Sequence, residues 1–178
     1  LFKNENNYTV KKTRFMDDFK GNKLFEVATV SDKFISRELE ENIIKSLKDK
    51  IDKYDLVVLG DFGHFFITDT IIKFLEENSK FLSVNVQTNS LNYGFNTVRK
   101  INKSNYLSID EKEIRLRFHD QTSSLEELIK KLYEISDMSK VSITLGARGT
   151  LVSDKGNFTE VPIFISDTVD TVGAGDAY

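Results

Sequence analysis

Blocks of apolar residues alternate with polar segments along this chain and predict its strands and helices in turn. Two runs rich in β-branched and aromatic residues, 8–16 and 23–30, flank the turn-forming segment 17–22 and predict a β-hairpin. Apolar residues then recur at helical spacing from Ser36, a typical N-cap, to about Lys53. The first part of the chain is therefore expected to form a two-stranded ribbon and a helix.

Beyond the first helix, continuous apolar runs alternate with helical patterns. The predicted strands are 55–61, 81–86, 105–109 and 141–145, with two further short strands near 150–153 and 157–161. The predicted helices are 68–79, 94–102, 110–118 and 124–137. Continuous apolar runs are typical of strands buried on both faces of a parallel sheet. Strands alternating with helices of this length predict a three-layer α/β/α fold with a mostly parallel sheet.

Composition excludes several classes of protein. The 178 residues carry 25 basic and 28 acidic side chains, and a net charge of −3 gives no indication of binding to nucleic acid. The absence of cysteine excludes disulfide scaffolds, thiolate-bound zinc and thiol catalysis. No apolar run approaches the ~18–20 residues that a membrane span needs. We therefore expect a globular cytoplasmic chain with no nucleic-acid or membrane partner.

The segment before the C-terminus has the composition of an anion site. Gly173, Ala174 and Gly175 leave backbone N–H groups uncovered where a helix is predicted to begin, and the dipole of that helix would favour negative charge there. The carboxylate of Asp176 could take a proton from an alcohol while these amides neutralise a transferred phosphoryl group. A tight strand-to-helix turn with an acidic first turn is the alternative, and spacing alone leaves both open.

The motif Asp-Thr-x-Gly-Ala-Gly-Asp, which ends at Asp176, resembles the signature of the ribokinase (PfkB) family of carbohydrate kinases. The resemblance implies that the amides of Gly173, Ala174 and Gly175 form an anion hole. It also implies that Asp176 is the base that activates the sugar hydroxyl. The chain starts at Leu1 and ends just after this motif, so we expect it to be incomplete at both ends.

A second segment, 142–149, resembles the T-x-G-x-x-G stretch of the same family and lies 24 residues upstream, measured from Gly149 to Gly173. The resemblance implies that Thr144, Gly146, Arg148 and Gly149 run beside the phosphates of ATP. A lone Gly-x-x-Gly turn is more often structural, but two such segments in the family's order are more specific.

The tetrad Asp110-Glu111-Lys112-Glu113 is similar to the family's Asn-x-x-Glu pair, with Asp in place of Asn. The resemblance implies that Asp110 and Glu113 organise Mg²⁺ and phosphate through water. Carboxylates are hard oxygen ligands that suit Mg²⁺, so the substitution is compatible with a metal site. The alternative is an acidic first helical turn exposed to solvent.

The hairpin that carries Lys12-Thr13-Arg14 resembles a segment of the heptose-phosphate kinase branch of the family. In that branch, which is the kinase part of ADP-heptose synthase-like proteins, the segment precedes the nucleotide-binding half. The stretch 85–89 departs from that branch, because it replaces the Asp-Pro-Lys common there. In the family such ribbons act as lids and sometimes pair between subunits, which implies a possible homodimer through the hairpin. His64 is interpreted as a packing or capping residue, with a substrate-side position as the alternative, and His119 as a surface residue.

Together these resemblances imply an ATP- and Mg²⁺-dependent phosphotransferase acting on a hydroxyl of a sugar or sugar phosphate. The alternative is a non-catalytic kinase-like module for nucleotide binding or assembly, next to a nucleotidyltransferase domain. We assign 1–34 to a lid-like hairpin segment and 35–178 to the nucleotide-binding and catalytic part. The 178 residues alone are expected to be inactive, because the helix after Asp176 would lack its body.

Overall fold

The computed structural model describes residues 2–3, 9–17, 23–31, 33–164 and 178. The strands are β1 (Lys11–Met16), β2 (Lys23–Thr29), β3 (Val57–Asp61), β4 (Leu82–Val86), β5 (Lys103–Asp110), β6 (Asp137–Thr144), β7 (Thr150–Asp154) and β8 (Asn157–Val161). The α-helices are α1 (Arg37–Lys48), α2 (Asp69–Asn78), α3 (Glu111–Phe118) and α4 (Leu125–Ile135).

Strands β1 and β2 pair antiparallel and form a sheet of their own, as the sequence predicted. The rings of Phe15 and Phe25 lie opposite each other and stack with centroids 4.3 Å apart, and Arg14 pairs with Glu26 at 3.0 Å. Phe15, Phe25 and Val27 remain exposed. The ribbon therefore presents apolar side chains to solvent in the isolated chain.

The other six strands form one sheet in the order β3-β4-β5-β6-β7-β8. The first four are parallel, and the last three, β6 to β8, are joined antiparallel. The prediction of an α/β fold with a mostly parallel sheet is confirmed. Because consecutive parallel strands lie side by side, right-handed crossovers bring their connecting helices to one face.

That face of the sheet carries the hydrophobic core. One register row across it consists of Leu59, Val84, Leu107 and Val141, all buried. The facing helices contribute fully buried side chains in the same cluster. These are Ile71 and Ile72 of α2, Ile114 of α3, and Leu128, Ile129 and Leu132 of α4.

The opposite face of the sheet is polar. The row Gly60, Asn85, Ser108 and Ser142 lies there in register. The hydroxyls of Tyr178 and Ser142 lie 2.8 Å apart, so the end of the chain reaches this face. The described helices pack on the apolar side, and the second helical layer of the predicted three-layer arrangement is not among the described residues.

Polar side chains fix where the helices begin. Ser36 and Thr68 accept the backbone N–H of the residue three positions on, and Asp110 and Ser124 form capping boxes at α3 and α4. The predicted N-cap at Ser36 is therefore confirmed.

Two of the helix predictions differ clearly from the structure. The helix predicted to reach Lys53 ends at Lys48, and a 3₁₀ turn over Ile51–Lys53 then turns Ile51 into the core. The prediction of a helix over 94–102 is wrong, because the regular structure in this segment is limited to a 3₁₀ turn at Val98–Lys100. None of the helices in the described part of the chain is long and apolar enough to cross a membrane.

Candidate active site

The carboxyl ends of the four parallel strands bring the predicted site residues to one edge of the sheet. Asp61 ends β3 and lies beside Val86 of β4, and Asp110 ends β5 directly opposite Thr144 of β6. In open α/β sheets this edge is where ligands bind. With neighbouring strands ~4.8 Å apart, the segment from β3 to β6 is about 14 Å wide.

Asp110 and Glu113 form a reciprocal capping box at the start of α3. A carboxylate oxygen of Asp110 accepts the backbone N–H of Glu113 at 2.8 Å, and Glu113 accepts the N–H of Asp110 at the same distance. The other oxygen of Glu113 accepts the N–H of Thr88, at 2.8 Å, from the segment after β4. The acidic pair is thus held by the backbone of two neighbouring strand ends.

The carboxyl of Glu113 is buried, with 4% of its surface exposed. Burial raises the pKa of Glu113 to about 7, against the two backbone N–H groups that favour the charged form. A nearby cation would lower this pKa, because opposite charge stabilises the carboxylate. A cation bound here would therefore compete with the proton on Glu113.

The predicted phosphate loop contains two glycines with different roles. Both have positive φ, +59° at Gly146 and +89° at Gly149. A Cβ at Gly149 would lie 2.1 Å from the carbonyl oxygen of Val161, so this glycine lets the loop pack on β8. A Cβ at Gly146 would meet nothing within 4 Å. The backbone at Gly146 therefore faces open space, where a ligand can approach closely.

Ion pairs connect the loop at 145–149 to α3. Glu111 accepts a hydrogen bond from Arg148 in the loop. It also accepts two from Arg115, one turn further along α3, and these two are 3.0 Å long. Partial burial alone would raise the pKa of Glu111, but the hydrogen bonds from the two arginines outweigh it and hold the pKa below its usual value. The loop and the acidic pair are consequently connected through Glu111.

A cleft of about 440 Å³ opens at the end of β3, beside the segment 92–100 that follows β4. Inside it, the buried carboxylate of Asp61 pairs with Lys100, whose ammonium also donates to the side-chain oxygen of Asn96 at 2.6 Å. The amide of Asn96 donates in turn to the carbonyls of Asp61 and Gln87. The rings of Phe34, Phe65 and Phe95 complete the lining. The cleft thus combines aromatic walls with a polar base.

The hairpin lies close enough to this edge to affect it electrostatically. Partial burial and then the positive charge of Lys12 on β1 lower the pKa of His64, while Asp61 acts in the opposite direction. His64 follows β3 and is thus near both the ribbon and the cleft.

A family model gives this arrangement its context. The model described as "pfkB family carbohydrate kinase" matches residues 67–178, more than half of the chain. The chain belongs to the pfkB family of carbohydrate kinases. The family predicted from the two glycine motifs is therefore confirmed.

Individual proteins and solved structures are similar to this chain. The bifunctional protein HldE of Campylobacter jejuni is 30% identical over 142 residues, which make up 78% of this chain and 30% of that protein. Ribokinase from Giardia lamblia superposes with a TM-score of 0.67 at 19% identity, over 96% of this chain and 53% of that one. Arabidopsis thaliana ribokinase, solved with ribose and ATP, gives 0.65 at 17%, over 96% and 54%. The chain thus spans about a third to a half of these proteins.

The structure brings together some of the predicted pfkB site residues. Gly146, Arg148 and Gly149 lie in one loop, which follows Thr144 opposite Asp110 and is linked to α3 through Arg148. The motif residues Gly173, Ala174, Gly175 and Asp176 lie outside the described residues. Their roles remain predictions.

The donor set at α3 fits a metal ion that keeps most of its water. In the described part of the chain, no three carboxylate or imidazole side chains converge on one point. Both oxygens of Glu113 accept backbone N–H groups, whereas the described hydrogen bonds use one oxygen of Asp110. Mg²⁺ is commonly bound through one or two carboxylates and several waters, so Asp110 and Glu113 are compatible with it.

Three contributors to this edge were not singled out from the sequence. Thr88 binds Glu113, Glu111 binds Arg148, and Lys100 neutralises Asp61. Glu111 could have been found, because it lies inside the predicted tetrad. No local sequence pattern points to Thr88 or Lys100. Thr88 lies 25 positions from its partner Glu113, and Lys100 lies 39 positions from its partner Asp61.

Proposed function

We propose that this chain is the nucleotide-binding and catalytic part of an ATP-dependent kinase that phosphorylates a hydroxyl of a sugar or sugar phosphate. The observation that carries the proposal is the register pairing of Asp110 with Thr144 in a pfkB-family chain. It brings the acidic pair next to the glycine loop, at the sheet edge where α/β proteins bind ligands. As domains, we propose a lid segment at 1–34 and the catalytic part at 35–178.

The nucleotide would bind on the β5–β6 side of the edge. The open backbone at Gly146 would accept the phosphates, with the Arg148 guanidinium beside them. Thr144 ends β6 at the base of the same loop. Asp110, directly or through water, and Glu113, through water, would hold Mg²⁺, which when bound supplies charge neutralisation between phosphates. Use of ATP favours a cytoplasmic location.

Proton transfer and charge stabilisation would come from the end of the chain. We propose that the N–H groups of Gly173, Ala174 and Gly175 stabilise charge on the transferred phosphoryl group. Asp176 would accept the proton of the attacking hydroxyl as the new oxygen–phosphorus bond forms and the bond to the leaving nucleotide breaks. This assignment is supported by the family match over residues 67–178.

The acceptor would bind in the cleft at the end of β3. Its aromatic walls and the polar groups of Asp61, Asn96 and Lys100 suit a molecule with apolar ring faces and many hydroxyls. The similarity to HldE and to ribokinase supports a sugar or sugar phosphate as this molecule. Within this class, the resemblance to the heptose-phosphate kinase branch favours a heptose phosphate as the acceptor.

The hairpin would act as a lid and as a dimer contact. Its exposed apolar side chains, among them Phe15, Leu24 and Val27, support pairing with a second copy of the chain. A two-stranded ribbon is marginal on its own, so a second subunit would stabilise it.

A second candidate function is nucleotide binding without phosphoryl transfer, in a module next to a nucleotidyltransferase domain. It is favoured by Asp110, which replaces the family's Asn, and by the two backbone N–H groups, of Asp110 and Thr88, that engage both oxygens of Glu113. Under this hypothesis the acidic pair would serve mainly as a helix cap.

Isothermal titration and a coupled ADP-release assay separate the two functions. The full-length gene product is titrated with ATP and Mg²⁺, and then assayed with a panel of sugars and sugar phosphates. Turnover that depends on one acceptor class is the expected result. ATP binding without turnover on any acceptor would favour the second candidate, and absence of ATP binding would contradict both.

A further inference from the structure

The loop between β6 and β7 carries one cation, Arg148, and that cation is restrained. Its side chain is 66% exposed, yet its terminal nitrogen donates to Glu111. An exposed arginine ordinarily samples many rotamers, and fixing it costs conformational entropy. The contact with Glu111 therefore restrains a side chain that would otherwise sample many orientations.

Glu111 is itself held in place by Arg115. One of its oxygens accepts two hydrogen bonds from Arg115, and another nitrogen of Arg115 donates to the carbonyl of Ser123 at 3.0 Å. The side chains of Glu111 and Arg115 are about a quarter exposed, far less than that of Arg148. The chain of contacts thus runs from the backbone before α4 to the glycine loop.

The contact leaves most of the guanidinium available. Arginine has five N–H donors, and the contact with Glu111 uses one terminal nitrogen. The remaining donors can meet an anion while Glu111 stays bound. Within this contact cluster, two arginines pair with one carboxylate.

We propose that Glu111 is a positioning residue that holds Arg148 beside the glycine loop, where the guanidinium meets a phosphate of the nucleotide. The inference rests on the proposed function and deepens it. Glu111 acts only through Arg148, so the two residues form a coupled pair. We expect Glu111 to affect nucleotide affinity and not the transfer step, because Arg148 would contact the phosphate equally before and during transfer.

The experiment compares Glu111→Gln, Arg148→Met and the double variant in the full-length protein. Glu111→Gln keeps the shape and removes the charge, and it is expected to raise both the Kd and the KM for ATP by about threefold to tenfold. The kcat should stay within about twofold. Arg148→Met should raise the two constants at least as much. The double variant should match Arg148→Met alone, because Glu111 has nothing left to position.

Glu126→Gln is the matched control, since Glu126 lies in the first turn of α4 and has no place in the proposed site. Its ATP affinity should equal that of the wild type. Unchanged or tighter ATP binding by Glu111→Gln would overturn the inference, and so would additive effects in the double variant. A wild-type protein that binds no ATP would instead overturn the proposed function and the inference with it.

Discussion

Asp110 at the end of β5 and Thr144 at the end of β6 lie directly opposite each other in the parallel register of the two strands. Thirty-four positions separate them in the sequence. Their pairing brings the acidic first turn of α3 next to the loop at 145–149, and Glu111 then joins the two through Arg148. The candidate nucleotide site is therefore a consequence of strand register.

The capping and metal roles of Asp110 can be separated by two substitutions. Asp110→Ala removes the N-cap of α3 and should lower the free energy of unfolding by about 1 kcal/mol in urea denaturation. Asp110→Asn keeps a good cap, so its stability should stay near that of the wild type. Under the proposed function, Asp110→Asn should raise the Mg²⁺ concentration for half-maximal turnover, because one carboxylate is lost. Equal destabilisation by both substitutions would contradict this account of the cap.

The two loop glycines should respond differently to alanine. Gly149→Ala places a Cβ 2.1 Å from the carbonyl oxygen of Val161, and the backbone must shift to relieve the clash. Gly146→Ala meets open space and carries only the cost of positive φ, about 1–2 kcal/mol. Thermal unfolding without ligand should therefore show a clearly lower Tm for Gly149→Ala than for Gly146→Ala. A reversed order would mean that the loop does not pack on β8 as described.

Lys100 should be important for stability because it neutralises a buried carboxylate. Lys100→Met leaves Asp61 buried, with 2% of its surface exposed, and without its cation, which should cost about 3 kcal/mol in urea denaturation. Lys73→Met is the control, since its pair with Glu77 is exposed on both sides and contributes less than about 1 kcal/mol. Similar losses in the two variants would refute the role given to Lys100.

Asp120 should make stability depend on acid pH. Its carboxylate accepts hydrogen bonds from the Ser123 hydroxyl at 2.7 Å, from the Ser123 N–H and from the Thr122 N–H, and these hold the pKa of Asp120 well below its usual value. The stabilisation is therefore present above the ordinary pKa of Asp, ~3.9, and is lost as the pH falls towards the lowered value. Unfolding measured from pH 6 to pH 2 should show a smaller acid-induced loss for Asp120→Asn than for the wild type. Identical pH profiles would contradict the prediction.

Asp176 should be essential for turnover under the proposed function. Asp176→Asn in the full-length protein is expected to lower kcat by at least ~100-fold, the lower limit for loss of a general base, with little change in ATP affinity. Asp52→Asn serves as the control, because Asp52 is exposed in the 3₁₀ turn after α1. Stopped-time ADP release gives both rates. A kcat near the wild-type value would remove Asp176 from this role.

Local patterns predicted most of the strands. The runs at 55–61, 81–86 and 105–109 became β3, β4 and β5, because a buried parallel strand needs apolar residues on both faces and few other segments supply them. Helix starts were also predictable where a Ser or Asp cap is read from adjacent residues, as at Ser36. Both signals depend on near neighbours in the sequence.

The segment 94–102 shows where local patterns fail. Asn92 and Asn96 donate side-chain hydrogen bonds to backbone carbonyls of residues 61–63 and of Gln87, and Gly94 has a φ of +79°. These contacts fix the segment in an irregular path that ends in a short 3₁₀ turn. Side chains that bind distant backbone compete with helix formation, and a local window does not include their partners.

The sequence by itself determined the class of fold, the family and the residues of the glycine loop and the acidic tetrad, because each is written in a short continuous segment. Only the tertiary structure decided which of these segments meet. Strand register paired Asp110 with Thr144, and the fold brought Thr88 to Glu113 and Lys100 to Asp61. Such contacts join residues 25 or more positions apart, so they depend on how the sheet assembles and not on local propensity.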